Sequence, residues 1–379
     1  MDKTQKRGMV DDRYAVSKNS TVVMENVKQD RYAIIYRMTM ILLVCLFILT
    51  IPLATGLGPV SIPYTKVWNI ILSHVPYIQN WITVDWTGAE QNIVWEIRFP
   101  RVLLGAIVGA ALSVVGVAIQ SLVKNPLADP YILGVSSGAS VGATLVILFG
   151  AFAVLGQYAL SVAAFSGALL SVIIVFVIAT TGGNLSTVRL LLSGIAVSAM
   201  LNAVTNLIVM SAPREEGIRD ALFWMMGSLT AAKWDYLFIP AIVLLIGFIY
   251  LRTKAESLNI FLTGEETAKT LGMNTNAFRI SLLVLTALLT GVVVALSGAI
   301  GFVGLMIPHI ARLLVGADHR RVLPVSALIG AIFLIWADVI ARMLFAPEEI
   351  PIGIITAICG GPFFIWLLYR NTYSFGGGD

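Results

Sequence analysis

Residues 102–122 read VLLGAIVGAALSVVGVAIQSL, a run of 21 residues without a charge, preceded by Arg98 and Arg101 and followed by Lys124. About 20 apolar residues in a helix cross the roughly 30 Å hydrocarbon layer of a bilayer. The run is therefore a membrane span, and it sets the class of the whole chain. Its glycines at 105 and 109 are four apart, as are Gly134, Gly138 and Gly142 further on. That spacing puts small residues on one helix face and lets neighbouring backbones approach closely.

Composition agrees with that reading. Of 379 residues 58% are hydrophobic and only 12% charged, with a mean hydropathy of +0.88. A soluble domain of this length carries about twice that charge. The same 20-residue rule places spans near 36–56, 102–122, 132–154, 158–180, 188–210, 235–252, 279–298, 302–316, 323–345 and 351–369. The chain is thus expected to be an all-α integral membrane protein of about ten transmembrane helices. It divides into a tail at 1–35, a transmembrane domain at 36–370 and a tail at 371–379. Residues 36–56 are read as a retained helix, because no small-residue cleavage site follows them.

An even number of spans puts both termini on one side. Eighteen of the 25 Lys and Arg fall on that side, seven of them in the N-terminal tail and an eighth, Arg37, at the start of the first span. Positive residues concentrate on the cytoplasmic face, so both termini are expected there. The same rule accounts for the net charge of +4 and gives no reason to invoke nucleic acid. Residues 57–100 then form a long external segment. Trp68, Trp81, Trp86, Trp95, Trp224 and Trp234 all fall on the outer side, as an interfacial aromatic belt or a docking surface. Cys45 and Cys359 lie inside apolar runs, and the three scattered histidines suggest no metal site.

The longest polar interruption on the cytoplasmic side is ESLNIFLTGEETAKTLGMNTNAFR at 256–279. Within it Glu265 stands four residues before Lys269, and Gly264 and Gly272 bound the pair, which predicts a short helix. Glu266 and Leu271 complete this polar island, and a short helix outside the membrane body is a handle for a partner. The span 188–210 carries Gly194, Ser198, Asn202, Thr205 and Asn206 at helical spacing. Such a stripe lines a polar path or bonds to a neighbouring helix. Ser186 and Thr187, just before it, fit a narrow gate or a plain helix N-cap. Asp338 and Arg342, four apart, fit an ion pair on one helix. Arg98, Arg101 and Arg342 mark the outer interface, bind lipid phosphate or attract an acidic external partner. No GxxxxGK[ST] phosphate loop, no nucleophile with a partner and no mid-span coupling carboxylate is present. Any pumping energy must come from another subunit.

RFPRVLLGAIVGAALSVVGVAIQSLVKNPLADPYILGVSSGAS (98–140), LTGEETAKTLGM (262–273), GAIGFVGLMIPHIARLLVGADHRRVLP (298–324) and IPIGIITAICGGPFFIWLLYR (350–370) resemble permeases of type II ATP-binding-cassette importers. That family takes up iron-siderophore complexes, haem and vitamin B12 across the bacterial cytoplasmic membrane. The resemblance implies two permeases around a central path, a cytoplasmic ATPase dimer and an extracytoplasmic binding protein. It implies no cofactor in this chain, ATP and Mg being held by the ATPase, and no enzymatic activity of its own. It assigns 256–279 to ATPase coupling and Arg98, Arg101 and Arg342 to docking of the binding protein. Ser186 and Thr187 match the cytoplasmic gate, with Val188 standing where the family has a hydroxyl residue. An iron-siderophore cargo is expected, with haem or vitamin B12 as the alternative. A secondary transporter fits poorly without coupling carboxylates, and a mere anchor fits poorly with a polar stripe.

Overall fold

Backbone polar groups in hydrocarbon must be satisfied within the chain, so helices are the natural answer to this composition. A computed structural model describes residues 33–77, 79–181 and 186–370. It holds only helices and turns there, apart from one isolated bridge between Phe345 and Glu348. The tails at 1–32 and 371–379 lie outside the described residues. In chain order the helices are α1 (Ala33–Gly56), α2 (Tyr64–Ser73), α3 (Gly88–Asn92), α4 (Phe99–Val123), α5 (Val135–Phe149), α6 (Ala159–Thr180), α7 (Thr187–Met210) and α8 (Glu215–Met225). They continue as α9 (Trp234–Thr253), α10 (Ala255–Leu262), α11 (Glu265–Thr270), α12 (Thr275–Ser297), α13 (Val303–Val315), α14 (His319–Met343) and α15 (Ile352–Arg370).

Eight of these stretches are long and apolar enough to cross a membrane, and α5 and α13 are shorter apolar helices between them. Together they account for the ten expected spans. The chain runs up and down through the bundle, with α10 and α11 at one end (the loop end) and α2, α3 and α8 at the other (the far end).

The opening run 102–122 becomes α4, the axis of the bundle. It is apolar all round, and nearly every residue from Pro100 to Leu122 is buried. A helix with no polar face has to be enclosed by others, and α9, α12, α13 and α14 pack around it. Small residues set the spacing. A Cβ added to Gly116 would lie 1.9 Å from the Gly304 carbonyl oxygen on α13, and one added to Gly109 would lie 2.1 Å from that of Gly330 on α14. By contrast α1, α7, α9 and α15 leave broad apolar faces uncovered.

The external segment is partly helical, because the helix that carries the second crossing begins at Gly88, well before the apolar run at 102–122. Thr87 and Glu90 form a capping box, with Glu90 N donating to Thr87 Oγ1 at 3.2 Å and Thr87 N to Glu90 Oε2 at 2.7 Å. The helix then passes through a π-helical stretch, Ile93–Arg98, into α4. Pro100 looks like a helix start in sequence because it lacks an N–H. The wider π turn just before it lets the helix continue through. Of the six outer tryptophans, Trp86 is buried, while Trp95 stacks on His74 at 3.7 Å and packs against Trp234 at 4.6 Å. Only part of the set forms an exposed belt, Trp81 being the most exposed.

The tight 298–304 junction is a buried turn. Gly298 (φ 64°) packs against the Trp224 carbonyl, and a Cβ there would lie 2.0 Å from that oxygen. Tyr131 Oη accepts from Ile300 N at 2.9 Å and donates to Ile300 O at 3.0 Å. Ile352 N and Gly353 N donate to Gly227 O and Met226 O, which caps α15 with the end of α8. Irregular backbone at this depth is tolerated because its polar groups are paired inside the protein.

Candidate functional site

The handle is clamped to the bundle on one face and open on the other. Gly264 (φ 134°) starts α11 in a conformation that side chains avoid. At its end Met273 N donates to Ala268 O at 3.0 Å and Gly272 N (φ 81°) to Lys269 O at 2.9 Å. These paired bonds are a Schellman ending, which requires the left-handed glycine. Ala268 is buried beneath the turn.

Glu265 faces inward. Its carboxylate accepts from Arg279 Nη2 on α12 at 2.6 Å and lies 3.3 Å from Lys269 Nζ. Burial opposes its ionisation, but the charges of Arg279 and Lys269 outweigh that and hold the carboxyl below its ordinary value. Glu266, Lys269 and Leu271 point away, with the Glu266 side chain 91% exposed and Leu271 65% exposed. The six residues expected to couple thus divide into a tie (Glu265), an outward-facing set (Glu266, Lys269, Leu271) and two positive-φ glycines that bound the turn (Gly264, Gly272).

Phe261 and Asn259 also tie α10 to the core, and neither tie was read from the sequence. Phe261 is fully buried, with Lys124 Nζ 4.7 Å and Arg279 Cζ 5.5 Å from its ring centre. Asn259 Nδ2 donates to Asp318 Oδ1 at 2.8 Å, and its Oδ1 accepts from His319 N at 3.0 Å and lies 2.6 Å from His319 Nδ1. His319 Nε2 in turn sits 2.8 Å from Ser121 Oγ on α4. One layer deeper, Arg312 Nη1 donates to Gln120 Oε1 at 2.6 Å, and Gln120 Nε2 reaches the Gly304 and Leu305 carbonyls. A continuous polar chain therefore runs from the handle to the central helix. The neighbouring turn at 125–130 is self-bonded, with Asp129 Oδ1 accepting from Tyr131 N at 2.8 Å, while burial pushes the Asp129 carboxyl up.

At the far end the three arginines come together, but inside the protein. Arg98, Arg101 and Arg342 are 5%, 8% and 3% exposed. Arg101 grips Asp338 through Nε and Nη2 at 2.8–3.0 Å and reaches Glu349 at 2.9 Å through Nη1. Arg98 donates to the carbonyls of Thr55, Gly56 and Val60, and Arg342 to that of Ala54. The expected Asp338–Arg342 pair is present at 3.5 Å, as the weaker partner of the Arg101 grip. Within this chain the guanidiniums bind the end of α1 and the loop after it to α4 and α14. The groups exposed above them are Glu348 and, in part, Glu349.

The α7 stripe is split. Gly194 and Thr205 are buried, Thr205 Oγ1 donating to Leu201 O at 3.0 Å, while Ser198 is half-buried and Asn202 and Asn206 are exposed. Four residues advance a helix by about 400°, so an i, i+4 series drifts by about 40° per step and turns from the inside to the outside. Ser186 holds the N-cap position of α7 with extended backbone and makes no side-chain cap bond, and Thr187 begins the helix. Residues 182–185, just before them, lie outside the described residues.

A family model described as the FecCD transport family matches residues 42–370. A cobalamin import system permease of Halobacterium salinarum is 46% identical over 73% of this chain and 73% of its own length. A hemin transport system permease of Yersinia pestis is 40% identical over 86% of this chain and 94% of its own. An Fe(3+)-citrate import system permease of Bacillus subtilis is 42% identical over 76% and 85%. A solved metal-chelate type ABC transporter in an inward-facing conformation superimposes with a TM-score of 0.76, at 32% identity, covering 88% of this chain and 99% of that one. The helix order, the tied handle and these matches lead to one conclusion: the chain is a multi-pass membrane protein of the FecCD transport family.

Proposed function

We propose that the chain is the permease subunit of an ATP-driven importer. In this reading it forms one half of the path with a second permease, identical or paralogous. It receives cargo from an extracytoplasmic binding protein and is driven by a cytoplasmic ATPase dimer that holds the ATP and Mg. The observation that carries the proposal is the handle. α11 offers Glu266, Lys269 and Leu271 outward while Glu265, Phe261 and Asn259 tie its base to α12, α4 and α14. A handle held so firmly passes a push from a partner into the bundle. Both termini and the handle are taken as cytoplasmic, in line with the distribution of Lys and Arg.

The exposed Asn202 and Asn206 face of α7 lines the path, with Ser186 and Thr187 at its cytoplasmic mouth. Docking takes place over the far end, where Arg98, Arg101 and Arg342 shape the surface. Transport is alternating access: ATP binding closes the ATPases, the handle moves, and helices lining the path shift between two packings. No bond of the cargo is made or broken by this chain.

The cargo is proposed to be an iron-siderophore complex, haem or vitamin B12. The three relatives named above carry cobalamin, hemin and ferric citrate in their names, so they support the alternatives equally. An uptake panel in a strain lacking this chain, with labelled iron on several siderophores, haem and vitamin B12, decides among them. Restoration of one uptake by the wild-type chain, and its loss when 264–272 becomes a Gly/Ser linker, is expected. Restoration of none, with the ATPase and binding protein present, would overturn the reading.

A further inference from the structure

Between α6, α9 and α12 lies a cleft of about 390 Å³ that the transport reading leaves without a role. It begins at the far end of the bundle, where α6 and α9 start and α12 stops. From Tyr158 to Phe165 and from Asp235 to Val243 it descends about two helical turns, ~12 Å at 1.5 Å per residue. Its deeper wall is apolar, built from Phe165, Val243, Leu288 and Val292. Exposed Val162, Ile239 and Leu288 edge it, so it opens sideways toward the hydrocarbon and not toward the α7 stripe. The volume equals roughly a dozen waters at ~30 Å³ each, and apolar walls exclude water from such a space. In a bilayer its natural filling is an acyl chain.

The rim is of a different kind. Tyr158 and Tyr236 stack edge to face at 5.7 Å, and Ser161 and Asp235 stand beside them. Tyrosines at this depth sit at headgroup level. Asp235, in the first turn of α9, and Lys233, just before that helix, are both exposed and make no ion pair among the described residues. A carboxylate and an ammonium two residues apart complement a headgroup that carries an amine and a phosphate. A smaller cavity of about 80 Å³ shares Ser161, Tyr236, Ala295 and Leu296 and continues the polar end toward Gln157.

We propose that this cleft is a phospholipid site. It takes one acyl chain from the leaflet at the far end, with a zwitterionic primary-amine headgroup, as in phosphatidylethanolamine, set against Asp235 and Lys233. The site is independent of cargo and ATPase.

The test uses the wild-type chain in vesicles doped with photoactivatable phosphatidylethanolamine or phosphatidylglycerol bearing a diazirine in the acyl chain, with labelled residues mapped by mass spectrometry. Labelling is expected to concentrate on Val162, Ile239, Leu288 and Val292. It should favour phosphatidylethanolamine by roughly two- to fivefold, the value of one exposed ion pair. Asp235→Asn should remove the headgroup preference but keep the labelled positions. Val292→Phe, on a half-exposed wall, should remove cleft labelling while that of α1 persists. Even labelling of all exposed apolar faces, equal labelling by the two lipids, or crosslinks from this cleft to a second copy of the chain would overturn the proposal.

Discussion

Two arginines of the far end, Arg101 and Arg342, converge on Asp338. Its carboxylate is buried, gripped by Arg101 and approached by Arg342. Removing one partner of a buried pair leaves an uncompensated charge and costs about 3–5 kcal/mol. Asp338→Leu is therefore expected to lower the melting temperature in detergent sharply, and Arg101→Met together with Asp338→Leu to recover much of the loss. Equal stability of single and double variants would contradict the pairing. Glu265 makes the opposite case, a partly exposed tie. Its carboxyl is held below the ordinary value by Arg279 and Lys269 once their attraction exceeds the cost of burial. A depressed carboxyl contributes stability above its unfolded pKa and loses it as pH falls through the folded one. Wild type is thus expected to melt above Glu265→Gln at neutral pH by the equivalent of about 0.5–1 kcal/mol, a range set by solvent screening. The difference should begin to shrink near pH 4, the unperturbed carboxylate range, and vanish once the pH lies below the depressed folded value; a difference that stays constant as pH falls through this range would contradict the ion pair. Gly116→Ala is expected to cost about 1–3 kcal/mol or more, because the new methyl meets a backbone oxygen and not a movable side chain.

Elements carry these residues with different degrees of legibility. The i, i+4 pair of Glu265 and Lys269 and the bounding glycines announce α11 in sequence, because a helix turn is a local event. The tie to Arg279 is 14 residues away, and the grip of Arg101 on Asp338 spans 237, so no local pattern reports either. Thr87 and Glu90 carry a readable helix start ahead of the second crossing, but the apolar run at 102–122 reports only the part of that helix that hydropathy marks. On α7 the four-residue ladder reads as one face, but the helical drift carries it from buried Gly194 to exposed Asn206, while Thr205 lies about 100° from Asn206, back on the inner side. The polar chain from Asn259 through His319 to Ser121 gives the element scale its own prediction. Asn259→Ala removes hydrogen bonds to α14 without touching the outward face of α11. It is expected to retain ATPase binding while reducing cargo uptake per ATP hydrolysed by severalfold in proteoliposomes. Unchanged uptake per ATP would make that chain a packing feature only.

At the scale of the whole molecule, the uncharged run at 102–122 becomes the enclosed axis and the ten apolar stretches become a bundle, because membrane insertion translates hydropathy directly into span count. What hydropathy does not carry is which faces are buried. The outer arginines turn inward, half of the polar stripe turns outward, and an apolar cleft remains on a lipid-facing flank. The central claim is that this bundle is moved through its α10–α11 handle. Its most direct test is to replace 264–272 with a Gly/Ser linker in the assembled transporter. Association with the ATPase and cargo uptake are then measured on protein shown to fold by its melting curve. Loss of both with the bundle intact is the predicted result. ATPase association and uptake at wild-type levels would contradict the claim.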